Sequence, residues 1–253
     1  MLAIDRQRRI FEMLQATGSL RTVDTAAELG VTDETVRRDF EILEKRGDLV
    51  RTHGGASRSD RVREELPLNE RQAVRHDEKQ AIARAAVGRI RANETIFLDA
   101  SSTVLTLTDF LPDLPLTILT NALNIFTALA DRPNLDLICT GGLFDSKSRS
   151  FIGLTAEKSL QRYNIDRIFF SGNGLDLARG ASESNSHQAA FKERIVAMAG
   201  DAVFLADHSK LGKKSPFFFA DIAHINCLVT DQNADPEFIL QLRERGVEVL
   251  EGD

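Results

Sequence analysis

From residue 79 onward the chain alternates between short apolar runs and longer segments with helical apolar spacing. The runs Thr95–Leu98, Leu116–Thr120, Leu135–Thr140, Arg167–Ser171, Ala202–Asp207, Cys227–Thr230 and Val247–Leu250 read as strands. Between most of them, Val104–Leu111, Leu123–Ala130, Thr155–Tyr163, Gln188–Ala199 and Pro236–Arg245 read as helices. Such alternation restricts residues 79–253 to an α/β fold, a Rossmann-like and mainly parallel sheet covered by helices. Open sheets of that kind bind ligands just beyond the carboxyl ends of their strands.

The residues at those ends are polar or glycine. "IFLD" runs into "ASST", "TILT" into Asn121, "LICT" into a Gly-Gly pair, "IFFS" into "GNG" and "VFLAD" into "HSK". Gathered at one edge, they offer the hydroxyls of Ser101, Ser102, Thr103 and Thr120, the amide of Asn121, backbone N–H groups at Gly141 and Gly142, and the cation of Lys210. These groups suit a phosphate joined to a polyhydroxylated body, provided that "SST" opens the following helix. Ser101–Thr103 also read as a helix cap, and the two functions are compatible. Neither glycine cluster matches a dinucleotide fingerprint, because no third glycine follows at the required spacing.

The first 57 residues follow a different pattern. Helices are expected at Arg6–Ala16, Val23–Leu29 and Asp33–Arg46, joined by "TGS" and "GVT". In the third helix Val36, Phe40 and Leu43 share one face, Thr32 is placed to cap the N-terminus and Gly47 to end it. A short β-prone piece and a glycine turn, "DLVRTHGGA", complete the parts of a winged helix-turn-helix, whose second helix enters the major groove of double-stranded DNA. Burial of Val36, Phe40 and Leu43 leaves Asp33, Glu34, Thr35, Arg37 and Arg38 for the outer face. Residues 58–78 are strongly charged and lack a sustained apolar face, so they read as a solvated linker.

A net charge of −6 argues against nucleic acid only if it is spread evenly. Residues 1–58 hold ten basic and ten acidic groups, so the whole deficit falls on the larger part, with 22 basic and 28 acidic groups. No apolar stretch approaches the ~20 residues of a membrane span, and the start "MLAIDRQRRIFEML" is charged where a signal peptide is apolar. A cytoplasmic protein without membrane association is expected. Cys139 and Cys227 lie in strand-like runs without CxxC spacing and read as buried thiols. The five histidines show no ligand spacing, so neither a metal nor a cofactor is expected.

The stretch "VTDETVRRDFEILEKRGDLVRTHGGA" resembles the DNA-binding signature of the DeoR family of bacterial sugar-metabolism regulators, with Thr32 standing where serine is usual. The resemblance implies that Thr35, Arg37 and Arg38 face DNA, that Asp39 orients an arginine, and that Arg51, His53 and Gly54 form the wing. Thr32 and Glu34 complete the expected DNA-facing set. "IFLDASST", "LTNALNI", "TGGLFDSKSRSFIG", "FFSGNGLDLARGAS", "FKERI" and "ADHSKLGK" resemble, in order, segments of the family's sensor domain, which is related in fold to ribose-5-phosphate isomerase and coenzyme A transferases. The family's effector is a phosphorylated sugar. Effector contacts are thereby implied at Asp99, Ser101, Ser102, Thr103, Thr120, Asn121, Gly141, Gly142, Gly174, Lys192 and Lys210. One departure is Asp-Ala-Ser-Ser-Thr in place of Asp-x-Gly-Thr-Thr, which removes a glycine at residue 101. "LDASST" with "SESNSHQAAFKERI" is most similar to regulators of L-fucose use.

The expected protein is a sequence-specific transcription regulator of a sugar-catabolic operon, a repressor working as a homodimer or homotetramer. The rival is a sugar-phosphate isomerase-like enzyme, for which Asp99, Glu183 and Asp207 could supply a base. An enzyme, however, has no use for a DNA-reading module.

Overall fold

The computed structural model describes residues 3–45, 49–58 and 68–253. Gly47 and residues 59–67 lie outside the described residues, and with them the expected glycine end of the third helix and part of the expected linker. The chain divides into two units, Met1–Glu64 and Glu65–Asp253.

In the first unit, α1 (Ala3–Thr17), α2 (Thr22–Leu29) and α3 (Asp33–Lys45) surround a core that includes Ile10, Leu14, Leu29, Val36, Phe40 and Leu43. Val36, Phe40 and Leu43 point inward as their spacing requires. Gly30 adopts φ +64° at the end of α2, and the Val31 N–H reaches back to the Ala26 carbonyl. Thr32 then caps α3, its hydroxyl accepting the Thr35 N–H at 3.3 Å. Three short strands, β1 (Ser19–Arg21), β2 (Leu49–Thr52) and β3 (Gly55–Arg58), make an antiparallel wing in the order β1-β3-β2. The first of these strands begins at Ser19, the last residue of the expected turn "TGS". Gly55 is required there, because a Cβ would stand 2.1 Å from the Leu20 carbonyl oxygen. Asp39, 2% exposed, ties α3 to α1 through Arg6 at 2.5 Å and Gln7 at 3.1 Å.

The second unit is built on seven parallel strands. They are β4 (Thr95–Leu98), β5 (Leu116–Thr120), β6 (Leu135–Cys139), β9 (Ile165–Phe170), β12 (Ala199–Leu205), β14 (Cys227–Asp231) and β15 (Glu248–Gly252). Their order, β15-β14-β12-β9-β4-β5-β6, reverses direction between β4 and β9. That reversal is the topological switch point at which sheets of this type open a crevice. The helices α5 (His76–Val87), α6 (Ser102–Leu107), α7 (Leu123–Leu129), α8 (Leu154–Leu160), α9 (Ser186–Val196) and α10 (Pro236–Glu244) accompany the sheet, which carries an apolar cluster on each face.

Two additions escape the apolar pattern. One is the hairpin β7 (Leu143–Asp145) and β8 (Ser150–Ile152); the other is a three-stranded antiparallel sheet of β10 (Gly174–Asp176), β11 (Gly180–Glu183) and β13 (Phe217–Ala220). Their strands are three or four residues long, and β10 and β11 are rich in glycine, alanine and serine. The hairpin is latched to α9 by Gln188, whose amide donates to the hydroxyls of Ser148 and Ser150 at 2.9 Å each. In "SPFFFADI", Phe219 joins the core while the Arg179 guanidinium covers the Phe218 ring at 3.9 Å. Cys227 is buried, but Cys139, on the edge strand β6, is only half-buried.

The expected linker needs correction where it is described. Within 58–78, Leu68–Ala73 forms a helix, α4, and α5 begins at His76 rather than Lys79. One apolar residue suffices: Leu68 is 2% exposed and its N–H donates to the Lys147 carbonyl, a long-range anchor with no local periodicity. No helix among the described residues is long and apolar enough to cross a membrane.

Replacing Asp39 by alanine leaves Arg6 and Gln7 without their shared acceptor, and should cost about 2–4 kcal/mol in the first unit. Urea unfolding followed by circular dichroism checks this. A loss under about 0.5 kcal/mol would mean that solvent replaces the carboxylate.

Candidate functional site

The first unit presents α3 outward by its N-terminal half. Arg37, Arg38, Thr32 and Glu34 are exposed and Thr35 is half-buried. The Thr32 and Thr35 hydroxyls lie 2.9 Å apart, and Glu34 stands 3.9 Å from Arg38 on the next turn. Arg51, in β2, donates its backbone N–H to the Glu44 carboxylate at 2.9 Å, and His53 and Gly54 are exposed at the turn between β2 and β3. Gly54 has φ +87°, the left-handed conformation that this turn demands. Asp39 holds Arg6 of α1, so the arginine it orients is not on α3.

In the second unit the switch point holds a buried ion cluster. Asp99 follows β4 and is 1% exposed; its carboxylate accepts the N–H groups of Ser101 at 3.1 Å and Ser171 at 3.2 Å. Lys192, from α9 and 6% exposed, brings its ammonium within 3.0 Å of Asp99 and 3.2 Å of Glu183, and donates to the Ser171 carbonyl at 2.7 Å. The Asn173 amide, turned with its nitrogen to Glu183, donates to both carboxylate oxygens at 2.7 and 2.9 Å. Lys192 was among the expected contacts; Glu183 and Asn173 join it through β11 and the "GNG" loop. Two carboxylates around one lysine favour hydroxyl donors over a phosphate at this point.

Beside the cluster, Ser101 caps α6, accepting the Val104 N–H at 3.1 Å. The hydroxyls of Ser102 and Thr103, in the first turn of α6, have no hydrogen-bond partner among the described residues. Thr120 is corrected to a structural role, since its hydroxyl donates to the Leu98 carbonyl at 2.7 Å, accepts the Ala122 N–H at 3.0 Å and is fully buried. Asn121 donates to the Phe151 carbonyl at 3.1 Å, while its own amide oxygen is buried without a partner among the described residues. Gly141 and Gly142 have φ +62° and +118°, and a Cβ on Gly142 would lie 2.7 Å from the Ile152 carbonyl oxygen. Gly174 is also explained by packing: a Cβ there would stand 2.4 Å from the Lys213 carbonyl oxygen, in the small antiparallel sheet.

A second set of cations lies where β12 ends. Lys210 is half-buried in a single turn of 3₁₀ helix, His208–Lys210. Lys79, from α5, is 4% exposed and donates to the carbonyls of Arg71 and of Val74, the latter at 2.7 Å. Burial pushes its ammonium down to about 8; Asp207 opposes the shift, and Lys210 and Arg71 add to it. Arg75, with φ +55°, reaches Asp207 at 3.4 Å and His208 at 3.0 Å. Since arginine can only donate, the His208 Nε2 accepts and its Nδ1–H donates to Asp231 at 2.8 Å. Burial raises the Asp231 carboxyl, but the N–H groups of His208 and Asn233 outweigh it and hold the group below its ordinary value.

Neither Lys79 nor Arg75 stood out in the pattern of the chain. The available signal was a lysine in the first turn of a helix, where the macrodipole favours acids.

The Lys79 shift has a defined sign. Above about pH 8 the folded chain releases this proton while the unfolded chain keeps it to about 10.5, so stability should rise with pH in that interval. Cys227, raised to about 12 by burial, acts oppositely once pH passes 9.0, the ordinary value of a cysteine thiol. Between pH 8 and 9 Lys79→Met should therefore flatten the stability curve measured by urea unfolding; an unchanged slope would show that Lys79 is not desolvated.

Comparison with known proteins agrees with this architecture. Residues 6–62 match the DeoR-like helix-turn-helix domain and residues 74–232 the DeoR C-terminal sensor domain. An uncharacterized HTH-type transcriptional regulator YulB of Bacillus subtilis is 36% identical over 98% of this chain and 96% of its own. A putative aga operon transcriptional repressor of Escherichia coli O157:H7 is 30% identical over 97% of this chain and 93% of its own, and an L-fucose operon activator of Haemophilus influenzae is 32% identical over 90% and 92%. A structure of ribose 5-phosphate isomerase A from Methanocaldococcus jannaschii aligns with 54% of each chain at a TM-score of 0.41 and 16% identity. With both of its domains matched and near full-length relatives above 30% identity, the chain belongs to the DeoR family of transcriptional regulators.

Proposed function

We propose that this DeoR-family regulator is a repressor of a sugar-catabolic operon in the cytoplasm, released from its operator by a phosphorylated sugar. The observation that carries the reading is the set of polar groups gathered beyond the carboxyl ends of β4, β5 and β9, in a chain whose other unit is a winged helix. Asp99 and the Asn121 amide oxygen accept from sugar hydroxyls, and Ser102 and Thr103 donate to the phosphate with the first-turn N–H groups of α6. Lys210 and Lys79 supply positive charge. Gly141 keeps the neighbouring backbone free of side chain, while Ser101, Thr120, Gly142 and Gly174 shape the site through the contacts already described.

Catalysis is disfavoured by the same carboxylates that would have to perform it. Asp99 is engaged by two N–H groups and Lys192, Glu183 by Lys192 and Asn173, and Asp207 by Ser209 and Arg75. A general base must be disposed to take up the proton it removes, and each of these carboxylates already accepts from two or more donors.

For DNA, Arg37 and Arg38 reach phosphate or guanine, with Thr35 beside them and Thr32 capping the helix that carries them. Glu34 holds Arg38 in place, and Arg51, His53 and Gly54 bring the wing to the backbone. One module buries too little surface for tight operator binding, so a homodimer or homotetramer sets two α3 helices in successive major grooves. The relatives named for a repressor and for an L-fucose operon activator share similar identity with this chain, so the sign of control is a matter for the transcription assay.

A duplex selected by the full-length protein from a random pool should lose about tenfold or more in affinity with Arg37→Ala or Arg38→Ala, read by gel shift, and transcription of the adjoining genes should rise when the regulator is deleted. Equal affinity for both variants contradicts the interface; a fall in transcription contradicts repression. In a thermal-shift screen of sugar phosphates the compound that raises the melting temperature should weaken operator binding without being converted. Ser102→Ala and Thr103→Ala should each weaken that compound about tenfold by calorimetry. Unchanged affinity in both returns the stretch to a helix cap.

A further inference from the structure

The helix α4 is placed where it cannot be indifferent to a ligand. It is the first described element of the second unit, only a few residues beyond the boundary with the DNA-binding unit. At its start the Leu68 N–H is held by the Lys147 carbonyl in the β7–β8 hairpin, which is itself tied to Asn121 beyond β5 by the Phe151 N–H at 2.7 Å. At its end Lys79 grips the carbonyls of Arg71 and Val74, and Arg75 grips Asp207 and His208 beyond β12. The carboxyl ends of β5 and β12 are separated by three strand spacings, about 14 Å. The six residues of α4 advance about 9 Å, and the non-helical Val74 and Arg75 add up to about 6 Å, which reaches that span. Between those two ends lie β4 and β9, the switch point itself, and α4 packs on α6, whose first turn carries Ser102 and Thr103.

The closed arrangement is built under opposing demands. Lys79 is a buried cation near Lys210, held by the carbonyls of Arg71 in α4 and of Val74 just beyond it, and its ammonium is lowered by burial. Arg75 keeps a left-handed backbone, uncommon for a residue with a side chain, while its guanidinium joins Glu78, Asp207 and His208. An anion arriving beside Lys210 offers Lys79 a stronger partner than two carbonyls. If Lys79 turns to it, α4 loses its C-terminal hold and only Arg75 keeps the strap shut.

We propose that α4 is a strap across the sensor pocket, clasped by Arg75, and that an anionic ligand opens it by drawing Lys79 away from the α4 carbonyls. The inference rests on the sensor reading above and adds the moving part. Arg75 is a positioning residue in this scheme: it opposes ligand binding by stabilising the closed strap. Its removal therefore tightens binding, because the ligand no longer works against the closed state.

The test uses full-length protein, a panel of pentose and hexose phosphates with inorganic phosphate as control, hydrogen exchange read by mass spectrometry, and calorimetry. Without ligand, Arg75→Gly should speed exchange in residues 68–74 about tenfold while β4, β9 and β12 exchange as in the wild type, and Arg75→Lys should restore part of the protection. In the wild type, the panel member that raises the melting temperature should speed exchange in the same residues. That compound should bind Arg75→Gly about tenfold more tightly than wild type. Unchanged exchange over 68–74 on ligand binding, or weaker binding by Arg75→Gly, overturns the strap and leaves the sensor intact. A panel in which no compound shifts the melting temperature removes the sensor reading, and the strap falls with it.

Discussion

The ammonium of Lys192 between Asp99 and Glu183 joins the main parallel sheet, the small antiparallel sheet and α9 at one buried point. A lysine taken out of water is tolerable only with anionic partners and filled donors, and here it has two carboxylates and the Ser171 carbonyl. Because Asp99 also collects the Ser101 and Ser171 N–H groups, the ends of β4 and β9 are held together at the switch point. The geometry of the site and the closure of the core are thus one problem with one solution. Any substitution within this cluster disturbs both, which is why the informative variants are those around it.

The same reasoning explains what could be read from the chain and what could not. Runs such as "TIFL" and "LTILT" are central strands buried on both faces, so their composition declares them and their ends fall at the expected residues. The carboxyl-edge loops were legible for the same reason, since a polar group directly after such a run has few other places to be. Strands β10 and β11 carry no such mark: they form because Gly174 and Gly180 let backbones approach closely, and a glycine-rich segment reads as a turn. The helix α4 was hidden because its stability comes from partners distant in sequence, Lys147 above all. Among the proposed site residues, Asp99, Lys192 and Lys210 were visible individually, whereas Thr120, Gly142 and Gly174 sit near the carboxyl edge of the sheet for packing reasons that motif reading cannot separate from binding. Arg75 and Lys79 needed the tertiary structure.

In the winged helix, the position of Asp39 shows how a helix that faces DNA is held by its back. The charge that α3 presents to solvent includes Glu34 as well as Arg37 and Arg38, and Glu34 stands near Arg38. Side chains of both signs thus share the outer face of α3.

Gln188 and Lys192 lie four residues apart on α9, hence on the same face one turn from each other. One fastens the β7–β8 hairpin and the other the ion cluster. A helix is stiff along its axis and the packing around it leaves little slack, so it transmits a displacement rather than absorbing it. The hairpin and the ion cluster are therefore fixed at one spacing along α9, and the hairpin's Leu143 and Phe144 stand exposed at the surface.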